Sequence, residues 1–262
     1  MKRVIGSFEL TVGSDGVGVV VFSRPPVNSV SLSVYEDLGT LVETIEASPN
    51  IRVVVLTAPP SIRAWCGGAD LKDFVGMDTA KRKERYAFIN DRVPGFFRME
   101  RPVIAAINGH AIGIGMILAA LCDMRVASSE ALFACPEIDY GLVAGGAGLL
   151  ALLKMPEAKV REMLFTGRKF TALELEPTGF FNYVVPRDEV LPKALEIASV
   201  IARKSLPAVR ARKLASVSLE GRTWMEAYHD AQALSASLVA GEDGGEGVRA
   251  FLEHRAPKFV DG

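Results

Sequence analysis

The stretch that decides the fold runs from residue 102 to residue 128. It reads Pro102-Val103-Ile104-Ala105-Ala106-Ile107-Asn108-Gly109-His110-Ala111-Ile112-Gly113-Ile114-Gly115, then Met116 to Leu121, then Cys122-Asp123-Met124-Arg125-Val126-Ala127-Ser128. Its first part is a short β-branched apolar run, the pattern of a buried strand. Asn108-Gly109 turns the chain. Gly113-Ile114-Gly115 leads into an apolar helix over Met116–Leu121, and Asp123–Ser128 reads as another strand. The same order occurs upstream. Ile51–Leu56 is a buried strand, a Pro-Pro-Ser loop comes next, and Trp65-Cys66-Gly67-Gly68-Ala69-Asp70 opens a helical pattern through Phe74. The two strand–glycine loop–helix units lie 45 positions apart, counting from Ala69 to Ile114, a period suited to stacked supersecondary repeats.

Outward from these units, Phe8–Phe22 is valine-rich and broken by Gly13-Ser14-Asp15-Gly16, which predicts a hairpin ended by Pro25-Pro26. Ser31–Ala47 carries Val34, Leu38, Leu41, Val42 and Ile45 at helical spacing, with Ser31 or Ser33 as its cap. From about residue 190 the pattern is helical: Leu191–Arg203, Pro207–Ser218, Trp224–Leu238 and Glu246–Phe251, the last two joined by Gly241-Glu242-Asp243-Gly244-Gly245. The expected division is an α/β body over residues 1–190 and an α-helical module over 191–262.

The composition excludes several function classes. The chain has 262 residues, 49% hydrophobic and 23% charged, which is ordinary for a folded soluble domain and unlike a disordered chain. Thirty basic against thirty-one acidic residues leave no excess for general nucleic-acid binding. Cys66, Cys122 and Cys135 are odd in number and lack ligand spacing, so neither a disulfide framework nor a zinc site is expected. The longest apolar run, Ala111–Cys122, falls short of the roughly 20 residues of a membrane span. No secretory leader is read at the start, and the expected setting is cytoplasmic.

The glycine loops are the first candidates for chemistry. N–H groups at a helix start have no acceptor within the helix, and the dipole adds positive potential there. Glycine lets a ligand approach that backbone. Two such starts aimed at one point make a two-donor oxyanion site, with the N–H groups of Ala69 and Ile114 as donors. The same glycines also serve tight strand–helix packing. Gly109 to Gly115 reads GxxxGxG rather than GxGxxG, and no phosphate loop or Gly-x-Ser-x-Gly elbow occurs, so dinucleotide, P-loop and serine-hydrolase sites have little support. Glu137 sits among Phe133, Ala134, Cys135 and Ile138. An apolar setting disfavours its charged form and suits a general acid or base, although a surface glutamate after a proline turn reads the same way. His110 abuts the second loop, as a ligand neighbour or as loop filling. Lys81-Arg82-Lys83-Glu84-Arg85 reads as a solvated helix face, with substrate-phosphate contact as its alternative.

Taken in order, these motifs resemble the crotonase superfamily, the enoyl-CoA hydratase/isomerase family. The anchors are Arg24-Pro25-Pro26-Val27-Asn28, Cys66-Gly67-Gly68-Ala69-Asp70-Leu71-Lys72, Arg101-Pro102 through Asn108-Gly109, His110 through Gly115, Cys122 through Ser128, and Pro136-Glu137 with Gly141-Leu142 and Gly145. The resemblance implies a spiral of ββα repeats with a C-terminal helical module that builds trimers or hexamers. It implies a coenzyme A thioester as substrate, with no metal or redox cofactor. The N–H groups of Ala69 and Ile114 would hold the thioester oxygen as it gains enolate character. Gly67, Gly68, Asp70, Gly113, Ile117 and Gly145 would border the substrate, and Lys258 and Phe259 would touch the CoA of a neighbouring subunit.

The departures from the pattern narrow the chemistry. Hydratases of this family use two glutamates. The second matches Glu137, whereas the first falls on Ile117, which can neither hold water nor transfer a proton. A usual loop glycine is Ile114 here. With Met116 and Ile117 it would make a dry site. One carboxylate with an oxyanion hole can still move a proton between carbons, so double-bond isomerisation of an enoyl-CoA is the favoured reaction. The alternatives are hydration through a second acid (Asp139, Tyr140 or Tyr228), a carbon–carbon bond-forming or hydrolytic member, and a non-catalytic acyl-CoA binder.

Overall fold

The computed structural model describes residues 2–143, 145–146, 154–239 and 241–258. The main sheet runs in the order β1 (Lys2–Ile5), β2 (Phe8–Val12), β3 (Val17–Phe22), β5 (Val53–Thr57), β8 (Val103–Ile107), β10 (Met124–Ser128) and β13 (Tyr183–Val185). The predicted hairpin is β2–β3, antiparallel, and from β3 onward every pairing is parallel. A second sheet has the order β12 (Phe170–Thr171), β11 (Leu132–Ala134), β9 (His110–Ile112) and β6 (Ala64–Cys66). The pair β4 (Ser29–Val30) and β7 (Gly68–Ala69) stands beside it.

The strand–loop–helix unit read twice in the sequence occurs three times in succession, each time with an additional short strand. Each main-sheet strand, β5, β8 and β10, is followed by a short second-sheet strand, β6, β9 and β11, and then by a helical turn: Leu71–Phe74, Ile114–Leu121 or Pro136–Tyr140. Alternation along β5 sends Val54 and Leu56 into the principal core, with Leu10, Phe22, Leu41, Trp65 and Phe133, and sends Val53 and Val55 to the other face. That other face is covered by the helix Val190–Ala202 through Val190, Ala194, Ala198 and Ala202, a stripe at fourfold spacing. The sequence pattern assigns this helix to the C-terminal module. In the structure it covers the body's sheet, and Arg52 bonds the carbonyls of Ala202 and Lys204 beyond its end.

The helix over Leu32–Glu46 begins after Ser31 as expected, although the Ser31 side chain makes no capping bond. The two helices predicted over 207–218 and 224–238 are one helix, Leu206–Val239. A single interior glycine costs about 1 kcal/mol, which tertiary anchoring can offset. Both halves are anchored: buried Lys213 bonds Asp123 at 2.6 Å, and buried Gln232 bonds Asn90 at 2.7 Å. The joining segment is shorter than expected, because the next helix already begins at Glu242 and runs to Leu252. No helix among the described residues is long and apolar enough to cross a membrane.

Candidate active site

In the second sheet β6, β9 and β11 are parallel neighbours, so their carboxyl ends point the same way. Ligand sites of parallel sheets gather beyond such ends. Each of these strands leads directly into a predicted site segment: β6 into Gly67–Asp70, β9 into Gly113-Ile114, and β11 into Pro136-Glu137.

Gly113 joins the three. Its N–H donates to the Ala134 carbonyl at 2.8 Å, and its φ is +55°. A methyl group there would stand 2.6 Å from Glu137 Oε1 and 3.8 Å from Gly68 Cα. The carboxylate and the first loop therefore lie against the same residue, and glycine alone leaves that room. Gly68, with φ +102°, lies so close to the end of β9 that a methyl group on it would meet the Ile112 carbonyl at 3.2 Å.

The two residues expected to donate border this space. Asp70 gives its N–H to the Val30 carbonyl at 3.0 Å. Neighbouring amides of an extended chain point opposite ways, so the Ala69 N–H faces away from β4. Ile114 is the first residue of its helix, and its N–H has no acceptor a turn behind it. Both residues line one cavity of about 520 Å³, together with Gly67, Gly68, Asp70, Gly113, Ile117, Glu137 and Gly145.

Glu137 is half-buried as a residue, but its Oε2 is sealed from solvent and has no hydrogen-bond partner among the described residues. Burial pushes its carboxyl from 4.5 up to about 7. Its own backbone N–H and the positive charge of Arg82 pull the other way and are outweighed. Ile117, 5% exposed, supplies part of the apolar wall. Met116, expected beside it, is buried in the core and does not line the cavity. Tyr140 does line it, edge-on to Phe251, with its hydroxyl pushed up by burial and by the charges of Asp139 and Glu137. Asp139 points elsewhere, against Gly167. The side chain of Tyr228 lies outside the described residues.

Three other candidates remain. His110 is the first residue of β9: its Nδ1 accepts the Leu132 N–H at 3.0 Å, and it does not line the cavity. Lys258 is exposed, gives its N–H to Glu246, and does not line this chain's cavity. Phe259 lies outside the described residues.

The basic run is not simply a solvated face. Lys81, Lys83 and Glu84 are exposed, but Arg82 and Arg85 are 6% and 5% exposed and line the cavity. The missed signal is the helical period. Arg82, Arg85, Tyr86 and Ile89 stand at i, i+3, i+4 and i+7, the inward stripe of the helix Thr79–Ile89. At another part of the wall Arg24 bonds Asp70 at 2.8 Å and Ser29 Oγ at 2.5 Å. Among the described residues no three His, Cys, Asp or Glu side chains are placed to hold a metal.

A family model described as enoyl-CoA hydratase/isomerase matches residues 13–262. The 2,3-dehydroadipyl-CoA hydratase of Escherichia coli is 32% identical over 247 residues, covering 92% of this chain and 94% of the relative. The mevalonyl-coenzyme A hydratase of Aspergillus fumigatus is 31% identical over 257 residues, covering 92% and 90%. The crystal structure of an enoyl-CoA hydratase/isomerase from Pseudoalteromonas atlantica superposes with a TM-score of 0.85 at 26% identity, covering 97% of this chain and all (100%) of that one.

Proposed function

The chain belongs to the enoyl-CoA hydratase/isomerase family, and on that premise we propose that it moves a proton within the acyl group of a coenzyme A thioester, converting a 3-enoyl-CoA to a 2-enoyl-CoA. The observation that carries the reading is a single sealed carboxylate, titrating at about 7, in a wall completed by Ile117. The N–H groups of Ala69 and Ile114 hold the thioester oxygen. They stabilise the charge that builds there when Glu137 takes a proton from the carbon next to the carbonyl. The protonated Glu137 then returns that proton two carbons further along, and the double bond moves into conjugation. The acid and base are the same group, so no water need enter. The reaction transfers no electrons to the protein, so the reading includes no cofactor beyond the CoA of the substrate.

Hydration is the second reading. It is favoured by Tyr140, a hydroxyl in the cavity wall, and by the two relatives whose names say hydratase. The same proposal carries a homotrimer or hexamer and a cytoplasmic setting, the first open to light scattering. The deciding experiment offers the purified protein a 3-enoyl-CoA and, separately, a 2-enoyl-CoA. Absorbance of the conjugated thioester and mass are followed together. Conjugation of the first without mass gain supports isomerisation. Addition of 18 mass units, about one water, to the second supports hydration. Neither change overturns both.

A further inference from the structure

The cavity wall has a component that an acyl chain of plain hydrocarbon does not call for. Most of it is apolar, with Phe74, Ile89, Ile114, Ile117 and Leu142. Into this wall the helix Thr79–Ile89 turns two guanidinium groups, each at most 6% exposed. Arg85 bonds Asp73 at 2.8 Å and lies 5.3 Å over the Phe74 ring. Arg82 lies 4.4 Å from the centre of that ring and 4.8 Å from the centre of the Tyr86 ring, bonds the Tyr86 hydroxyl at 2.9 Å, and carries a charge that is felt at Glu137. Its position in the wall is thus fixed by packing on two aromatic rings, Phe74 and Tyr86, in the cavity that Glu137 also lines.

Holding a guanidinium away from water costs several kcal/mol. A leucine or methionine in the same place would stack on Phe74 without that cost and would suit a fatty acyl chain better. Arginine instead presents a planar fork that matches a carboxylate, and charge-assisted bonds of this kind strengthen where water is excluded. We propose that the acyl group of the substrate ends in a second, free carboxylate, and that Arg82 receives it. This inference rests on the reading that the cavity takes the acyl group of a CoA thioester. It is independent of the reaction that the thioester then undergoes.

The test uses the whole protein and two saturated thioesters that cannot be isomerised, hexanoyl-CoA and adipyl-CoA, titrated by calorimetry beside free CoA. Wild type is expected to bind adipyl-CoA at least about tenfold more tightly than hexanoyl-CoA, the fold-change of one hydrogen bond to a charged group. Arg82→Gln is expected to remove the preference, Arg82→Lys to restore part of it, and neither to change affinity for free CoA. Equal binding of the two thioesters by wild type overturns the inference, and this arm does not depend on any variant folding. A preference that survives Arg82→Gln, or a loss of free-CoA affinity in that variant matching the loss of adipyl-CoA affinity, also overturns it. The latter would place Arg82 on a CoA phosphate. A wild-type preference for adipyl-CoA without conversion of either 3-hexenoyl-CoA or its terminal carboxylate analogue would overturn the proposed reaction and uphold the acyl assignment.

Discussion

Replacing Glu137 by glutamine removes one ionisable group and leaves the shape of the side chain in place. In the unfolded chain this carboxyl titrates at about 4.5, and in the fold it titrates at about 7 because burial penalises its charge. Between those values the folded protein holds a proton that the unfolded chain has released. Stability therefore falls as pH rises through that window and levels off above it. At about 1.36 kcal/mol for each tenfold change in proton affinity, the full gap is worth about 3 kcal/mol. About 2.5 kcal/mol of it is lost between pH values near 5 and near 8. Glutamine carries no such dependence. Urea unfolding of both proteins, followed by far-ultraviolet circular dichroism at one fixed protein concentration, isolates the contribution because every other titrating group is shared. The stability of Glu137→Gln relative to wild type is expected to rise by about 2.5 kcal/mol over that range. Two curves that run parallel would refute the claim that the fold holds this carboxyl against its charge.

The same variant is expected to lower turnover of a 3-enoyl-CoA by about 10²–10⁴, and kcat/KM of wild type should rise with pH through about 7 as Glu137 becomes a base. A pH-independent rate would remove Glu137 from the role. Gly113→Ala places a methyl group 2.6 Å from Glu137 Oε1 on a backbone with φ +55°. It should cost about 1–2 kcal/mol of stability in strain and abolish most activity, and full activity would contradict the geometry of the joint. Ile117→Glu should admit water and give measurable hydration of a 2-enoyl-CoA by mass. Unchanged products would show that the apolar residue is not what bars it. Arg125 bonds the carbonyls of Phe180, Cys122 and Ala119. Arg125→Met should lower stability by about 3 kcal/mol in thermal or urea unfolding, with KM unchanged in whatever protein remains folded.

The strand–loop–helix order was legible because its main-sheet strands are short β-branched runs and its breaks are glycines. The loops of the site were legible for the same reason. The three-residue strands that make it a ββα order, β6, β9 and β11, are too short to carry a pattern. What stayed hidden depends on which way a helix faces once it is packed. Lys81-Arg82-Lys83-Glu84-Arg85 looks uniformly charged along the chain, yet the inward stripe takes two of its arginines and leaves the lysines in solvent. The break expected between residues 218 and 224 is absent from the fold, because the anchors that hold both halves of that helix, Lys213 on Asp123 and Gln232 on Asn90, span 90 and 142 positions and leave no local signal. His110 abuts the second glycine loop, which leaves its role open between a ligand neighbour and loop filling. It proved to be a bond acceptor for β11, which no local pattern announces. Motif residues are in the same way divided between two duties. Asp123 accepts the Val103 N–H at 2.7 Å and the Lys213 ammonium, holding β8 in place rather than meeting any ligand.

The sealing of Glu137 Oε2 and the basicity of that group have one cause. A carboxyl with a wet neighbour would be solvated and would titrate near 4.5, a weak base at neutral pH. Sealing Oε2 raises the proton affinity to the range where a group both takes and returns a proton near neutrality, as a shuttle between two carbons requires. A second carboxylate at residue 117 would bring water with it, and the charge on either group would disfavour the charge on the other. With isoleucine there, Glu137 shares its proton with no carboxylate at that position, and the charge of Arg82 limits how far burial can raise it. An anionic acyl terminus seated on Arg82 would offset that cation and strengthen the base at the moment the substrate is bound.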